Sequence, residues 1–143
     1  MKTLKRHIFS HSTHVGLLIL RLGIGIQFLL HGYPKLTGGV VKWEKLGSSM
    51  EMVGMDFYPA FWGFMAAFAE FFGGLFLLLG WFTRPSALLL SITMLIATIK
   101  HVSEKDATWM DGSHSFELMV VFIAIYFTGS GKYSLDEILH RKN

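Results

Sequence analysis

The 143-residue chain has no cysteine, and only 16% of its residues are charged. Without cysteine, a disulfide framework, thiolate metal ligands, a dithiol redox centre and a cysteine nucleophile are all excluded, so any redox role must use a bound cofactor or a partner. An ordinary soluble domain is about a quarter charged. Charge is not only scarce but unevenly spread: from Tyr58 to Ile99 the only charged residues are Glu70 and Arg84. A soluble domain of this size could not hide so long a stretch without exposing a large apolar patch. With 52% hydrophobic and 15% aromatic residues, disorder and nucleic-acid binding are poor readings, whereas a membrane protein fits. No nucleotide-binding motif, internal repeat or low-complexity stretch is present.

Four apolar segments, about 14–32, 58–82, 85–101 and 114–129, are read as membrane-spanning helices. The first follows a basic start with Lys2, Lys5 and Arg6, as a secretory signal would. Arg21 and Gln27 interrupt it, however, and His31-Gly32-Tyr33-Pro34-Lys35 offers no small-residue cleavage site, so a retained span is expected. At about 1.5 Å per residue the second segment can cross a hydrocarbon core of about 30 Å. Pro85 sits at a permitted first-turn position of the third. The last two segments are short, which leaves a soluble bundle of very apolar helices as the competing fold.

Between the first two spans, Trp43, Leu46, Met50 and Val53 recur at helical spacing with Lys42, Glu44, Lys45 and Glu51 between them, which predicts an interfacial helix. Ser134 and Glu137 form a capping-box pattern. They predict a short C-terminal amphipathic helix with Leu135, Ile138 and Leu139 on its apolar face. The expected fold is therefore an all-α, integral-membrane four-helix bundle with these two additions, a single domain over 1–143. Tyr33, Trp43, Phe57, Tyr58, Trp62 and Trp109 gather near one boundary and Trp81, Phe82, Tyr126 and Tyr133 near the other, as aromatic belts do at two interfaces. Lys2, Lys5, Arg6, Arg84, Lys132, Arg141 and Lys142 fall on one side, against Lys35, Lys42, Lys45, Lys100 and Lys105 on the other. That balance favours both termini in the cytoplasm of a cell with the protein in its inner membrane.

Several short motifs occur in a recognisable order: Arg21, His31-Gly32-Tyr33-Pro34-Lys35-Leu36, Ala69-Glu70-Phe71-Phe72-Gly73-Gly74, Leu77 through Pro85, Glu117, and Gly129-Ser130-Gly131-Lys132-Tyr133-Ser134-Leu135-Asp136. From about Leu17 to Leu135 the chain resembles the DoxX family of small four-span bacterial and archaeal membrane proteins. The resemblance implies the four-span architecture. It also implies an association with redox systems, since named members are tied to thiosulfate:quinone oxidoreductase complexes, membrane oxidative-stress complexes and catechol dioxygenase operons. It assigns no ligand-binding residue.

The site residues are therefore argued from polarity and depth. With the ends of the first two spans placed near His31 and Pro59, Arg21 and Glu70 lie at matching depth, roughly 15 Å inward. An isolated charge there costs several kcal/mol, so an Arg21–Glu70 ion pair is expected. Glu70 shares its stripe with Ala66, Gly73 and Gly74, and Arg21 shares its stripe with Gly25, small residues that permit close helix approach. Nearer the non-cytoplasmic surface, Gln27 and His31 are four residues apart on one face. Together with His101 and Glu117 they are expected at the mouth of a pocket whose floor is the Arg21–Glu70 pair. A plain structural pair and a hydrated vestibule are the bland counterparts of these two sites. Metal binding by His31, His101, His114 and Glu117 is not favoured, because the spacing lacks a tight metal motif.

Three functional readings follow. The leading one is an auxiliary or anchoring membrane subunit of a redox system, holding a quinone or another small amphipathic ligand and partnering a soluble oxidoreductase. The second is a small transporter or channel past Arg21, Glu70 and Glu117, which would need a homodimer interface because four spans enclose little volume. The third is a metal-dependent membrane enzyme using the outer histidines. The partners expected are membrane lipid, the soluble oxidoreductase and a second copy, and not nucleic acid.

Overall fold

The computed structural model describes the backbone of residues 2–140 and the side chains of residues 12–140. The side chains of Lys2, Lys5, Arg6, Arg141 and Lys142, counted above for orientation, lie outside that description. Helix α1 runs over Lys2–Leu36, α2 over Gly39–Gly47, a 3-10 helix over Ser48–Val53, α3 over Pro59–Leu79, α4 over Thr83–Ser103, α5 over Trp109–Thr128 and α6 over Leu135–His140. Four of these are long and apolar enough to cross a membrane: Ser12–Leu36, Pro59–Leu79, Thr83–Ser103 and Trp109–Thr128. The number of spans is as expected, but two ends move. α1 continues past His31 to Leu36, and α5 begins at Trp109, where Thr108 and Asp111 form a capping box that the hydropathy reading passed over.

Local chemistry explains the ends. Pro59 and Pro85 occupy first-turn positions where no backbone N–H is needed. Gly80 stops α3 in the left-handed region at φ 65°, with its N–H on the Leu77 carbonyl and that of Trp81 on the Phe76 carbonyl. α1 packs on α3, α3 on α4 and α4 on α5. The core between them is Phe28, Leu77, Ala87, Leu90, Met94, Phe122 and Ile125. Leu22, Ile26, Leu88, Ile92, Val120, Ile123 and Phe127 remain exposed on the outside of the bundle, as lipid-facing residues should.

The bundle has a terminal end, near His14, the α3–α4 turn and α6, and a loop end, near α2 and the α4–α5 turn. Exposed Tyr33, Phe57, Tyr58 and Trp109 mark the loop end, and exposed Trp81, Phe82, Tyr126 and Tyr133 the terminal end. α2 carries the amphipathic pattern expected of an interfacial helix, with Lys42, Glu44 and Lys45 exposed and Trp43 and Leu46 half-buried. It lies against the first turns of α3 at two glycines. A Cβ on Gly47 would collide with the Pro59 carbonyl, and one on Gly63 with that of Trp43, so only glycine lets the two backbones meet. Trp43 adds an Nε1 hydrogen bond of 3.0 Å to the Lys35 carbonyl, which fastens α2 to the end of α1.

α6 forms where the Ser134 pattern predicts, with the Glu137 N–H donating to Ser134 Oγ at 3.2 Å. Its Leu135, Ile138 and Leu139 stay 38–50% exposed. This apolar face is uncovered by the bundle, as a helix lying at a membrane surface would leave it.

α1 and α5 are neighbours that hardly touch. Their backbones stay apart along most of the seam, which is bridged by the edge-to-face contact of Phe28 and Phe122, ring centroids 5.0 Å apart.

Candidate functional site

Three polar centres sit within the spans. The first is Arg21, which is fully buried. Its Nη2 donates to the Tyr133 carbonyl and its Nη1 makes a long 3.5 Å contact with the Leu77 carbonyl. Leu77 lies in the last turn of α3, where unpaired carbonyls and the helix dipole favour a cation. The guanidinium is wedged under Gly80, where a Cβ would strike Nη1. Asp136 is close enough to attract it, and the Asp136 carboxylate also accepts the N–H groups of Phe82 at 2.9 Å and Thr83 at 3.0 Å. A distant acid thus caps α4 and faces the buried Arg21 cation, so Asp136→Ala is expected to cost more than the roughly 1 kcal/mol of a lost N-cap, read as a lowered thermal midpoint in detergent.

The second centre is Glu70, which pairs not with Arg21 but with Lys35. Lys35 Nζ lies 2.7 Å from Glu70 Oε1 and 2.5 Å from Oε2, with the carboxylate side chain 5% exposed and the lysine side chain 32%. The expected Arg21–Glu70 pair does not form, and the helix register gives the reason. Gly25 meets Gly74 and Leu78, and Gly32 meets Glu70 and Phe71, so α1 and α3 run antiparallel with Arg21 beside Gly80. Arg21 and Glu70 are then some ten residues apart along the pair, roughly 15 Å. The expectation failed because it set His31 and Pro59 at one depth, whereas the first turns of α3 run beyond α1 and are covered by α2. Lys35 was counted only as a flanking charge. The signal for it was present: Arg21, Gly25, Phe28, Gly32 and Lys35 recur at alternating steps of four and three, one continuous helix face.

The third centre is the open α1–α5 seam, a cleft of about 700 Å³. Leu20, Ile24, Phe28 and Leu118 form its apolar walls. Gln27 and His31 project from α1 and His114 from α5. Gln27 and His31 therefore line one cleft. His101 and Glu117 do not join them: His101 lies near Asp111 instead, and Glu117 is exposed on the outer surface of α5. His114 takes their place, because α5 begins earlier than hydropathy suggested and brings a further turn to the seam. Nor do Arg21 and Glu70 line the cleft, so its floor is apolar. Among the described residues no three His, Asp or Glu side chains gather as metal ligands, and His31, His101, His114 and Glu117 therefore form no common metal set. None of Arg21, Glu70 and Glu117 lines the α1–α5 cleft.

A second cleft, of about 620 Å³ at the terminal end, mixes Arg84 and Lys132 with Asp136 and Glu137. The α1–α5 cleft differs in being an apolar slot with a few neutral polar groups, the composition that suits an amphipathic small molecule. Its two imidazoles, on opposite walls, can donate or accept hydrogen bonds.

The DoxX family model matches residues 16–102, the region that carries both Arg21 and the Lys35–Glu70 pair. The chain belongs to the DoxX family. It is 31% identical to the inner membrane protein YqjF of Escherichia coli K12, over 90% of this chain and 95% of that one. It is 30% identical to the inner membrane protein YphA of the same organism, covering 95% and 99%. A Bacillus subtilis relative, CatD, whose name includes the word oxidoreductase, is 28% identical over 92% of each chain. No solved structure gives a significant match. Four apolar helices and inner-membrane relatives make this DoxX chain a multi-pass inner-membrane protein.

Proposed function

We propose that this DoxX protein is an auxiliary, anchoring membrane subunit of a redox system and that it holds a quinone-like amphipathic molecule in the α1–α5 cleft. The observation that carries the reading is the cleft itself: apolar walls, an opening toward lipid, and Gln27, His31 and His114 where the oxygens of a ring headgroup would lie. A hydrophobic tail could remain in the bilayer while the headgroup enters sideways between α1 and α5. His31 or His114 then supplies or takes up the protons that accompany reduction and oxidation.

The electrons come from elsewhere. With no cysteine and no nucleotide-binding motif, the chain calls for a soluble oxidoreductase partner. The name of the CatD relative supports a redox setting. In this reading both termini are cytoplasmic, the cleft opens nearer the non-cytoplasmic end, and the oxidoreductase partner docks at that loop end, beside the headgroup with which it exchanges electrons. Illumination of the membrane-embedded protein with a photoreactive short-chain quinone is expected to label peptides of α1 around Gln27 and of α5 around His114. Labelling confined to α3 or α4 would overturn the assignment.

A further inference from the structure

Glu117 is a carboxylate on the wrong side of its helix. It lies eight residues into the α5 span, about 12 Å from Trp109, and it is exposed on the outside of the bundle. Among the described residues no hydrogen bond or ion pair reaches it; the nearest membrane cation on α1, Lys35, is committed to Glu70. Carboxylates at such depth almost always face a protein interior or water, because lipid offers them no partner. Glu117 is too short to reach the interface from there.

We infer that a second copy of this chain covers the outside of the α1–α5 seam and brings its Glu117 to His31 and Gln27 of the first. A two-fold axis along the membrane normal keeps every residue at its own depth, so Glu117 can meet only groups at its own level. Phe28 touches Phe122, and His31 and His114 line one cleft, so α1 and α5 run antiparallel with Glu117 level with the His31 turn. His31 and Gln27 are both exposed there. Each can donate a hydrogen bond to a carboxylate. The symmetry makes the contact twice.

The shape of the same face agrees. Gly16 and Gly23, seven residues apart on α1, are exposed and have nothing within 4 Å of a Cβ position. Ala124, seven residues after Glu117 and on its face of α5, is exposed at the depth of Gly23. Small residues on both sides let two helices approach closely enough for the polar pair to close. The second copy closes the lipid side of the seam at the level of His31, so the partner copy's carboxylate and a headgroup in the cleft compete for His31 and Gln27, and sideways entry from lipid belongs to the undimerised chain.

The absence of native cysteine makes the test clean. Two differently tagged copies, one G23C and one A124C, are co-expressed and oxidised in native membranes. The expected product is a crosslinked pair carrying both tags, in a yield at least several-fold above that of I92C copies, whose cysteine lies on the exposed face of α4. Adding E117L to both copies should lower the yield several-fold, and E117Q, which keeps a hydrogen-bonding group, should lower it less. A G23C and A124C yield no higher than the I92C control, or native mass spectrometry showing a single copy joined to a different protein, would overturn the second copy as the occupant.

Discussion

Replacing Arg21 by leucine should destabilise the folded protein by about 3–5 kcal/mol, the range for removing one member of a buried charged network. The size follows from what the guanidinium leaves behind. The Tyr133 and Leu77 carbonyls lose a donor, and Asp136 loses the cation that attracts it while it still caps α4. Arg21 is one of several ties on the 129–136 segment, beside the Asp136 N–H on the Gly80 carbonyl and the Asp136 cap of α4, so the loosening of that segment should appear as faster proteolysis after Thr128 at a temperature where the spans remain intact. Gly80→Ala provides an independent check, since its Cβ would meet Arg21 Nη1 and its left-handed φ disfavours any side chain. Denaturation midpoints in detergent and a proteolysis time course measure both effects. Wild-type behaviour in both variants would show that Arg21 does not hold the terminal end.

The second large effect is an asymmetry. Lys35→Met strands a carboxylate that is 5% exposed, and is expected to cost about 3 kcal/mol. Glu70→Gln leaves an ammonium that is already 32% exposed on a flexible stem that can turn toward the loop end, so its cost should be about 1 kcal/mol. Combining Lys35→Met with Glu70→Leu removes the stranded charge and should recover most of the loss. Equal costs for the two single changes, or no recovery in the double variant, would argue against a pair that is buried on one side only.

Both predictions concern residues whose importance was legible in the sequence while their partners were not. Arg21 and Glu70 stand out because a charge inside an apolar run is rare, and Gly25 and Gly74 announced the close crossing of α1 and α3. What composition could not supply was the axial offset between the two helices. That offset depends on α2 folding back over the first turns of α3 at Gly47 and Gly63, a contact made by backbones with no side-chain pattern to reveal it. The same gap explains the cleft. Gln27 and His31 share a helix face by their spacing and both line the cleft, whereas placing His114 in the cleft and His101 and Glu117 outside it required the starting residue of α5 and the order of helices around the bundle. The capping box at Thr108 and Asp111 was the available signal for the first of these. The open α1–α5 seam had none, since a missing contact leaves no mark on hydropathy.

The most direct test of the cleft as a ligand site is equilibrium binding of a short-chain quinone to the protein in nanodiscs, compared with two variants. Ile24→Trp fills the slot from its apolar wall, and His31→Leu removes a polar group from its mouth without touching Arg21 or the Lys35–Glu70 pair. Saturable binding by the wild type is expected, with affinity reduced at least about tenfold by Ile24→Trp and by a similar factor by His31→Leu, the effect of losing about 1.4 kcal/mol or more of interaction. Binding of the same affinity in all three proteins, or no saturable binding by the wild type, would contradict the cleft as the site.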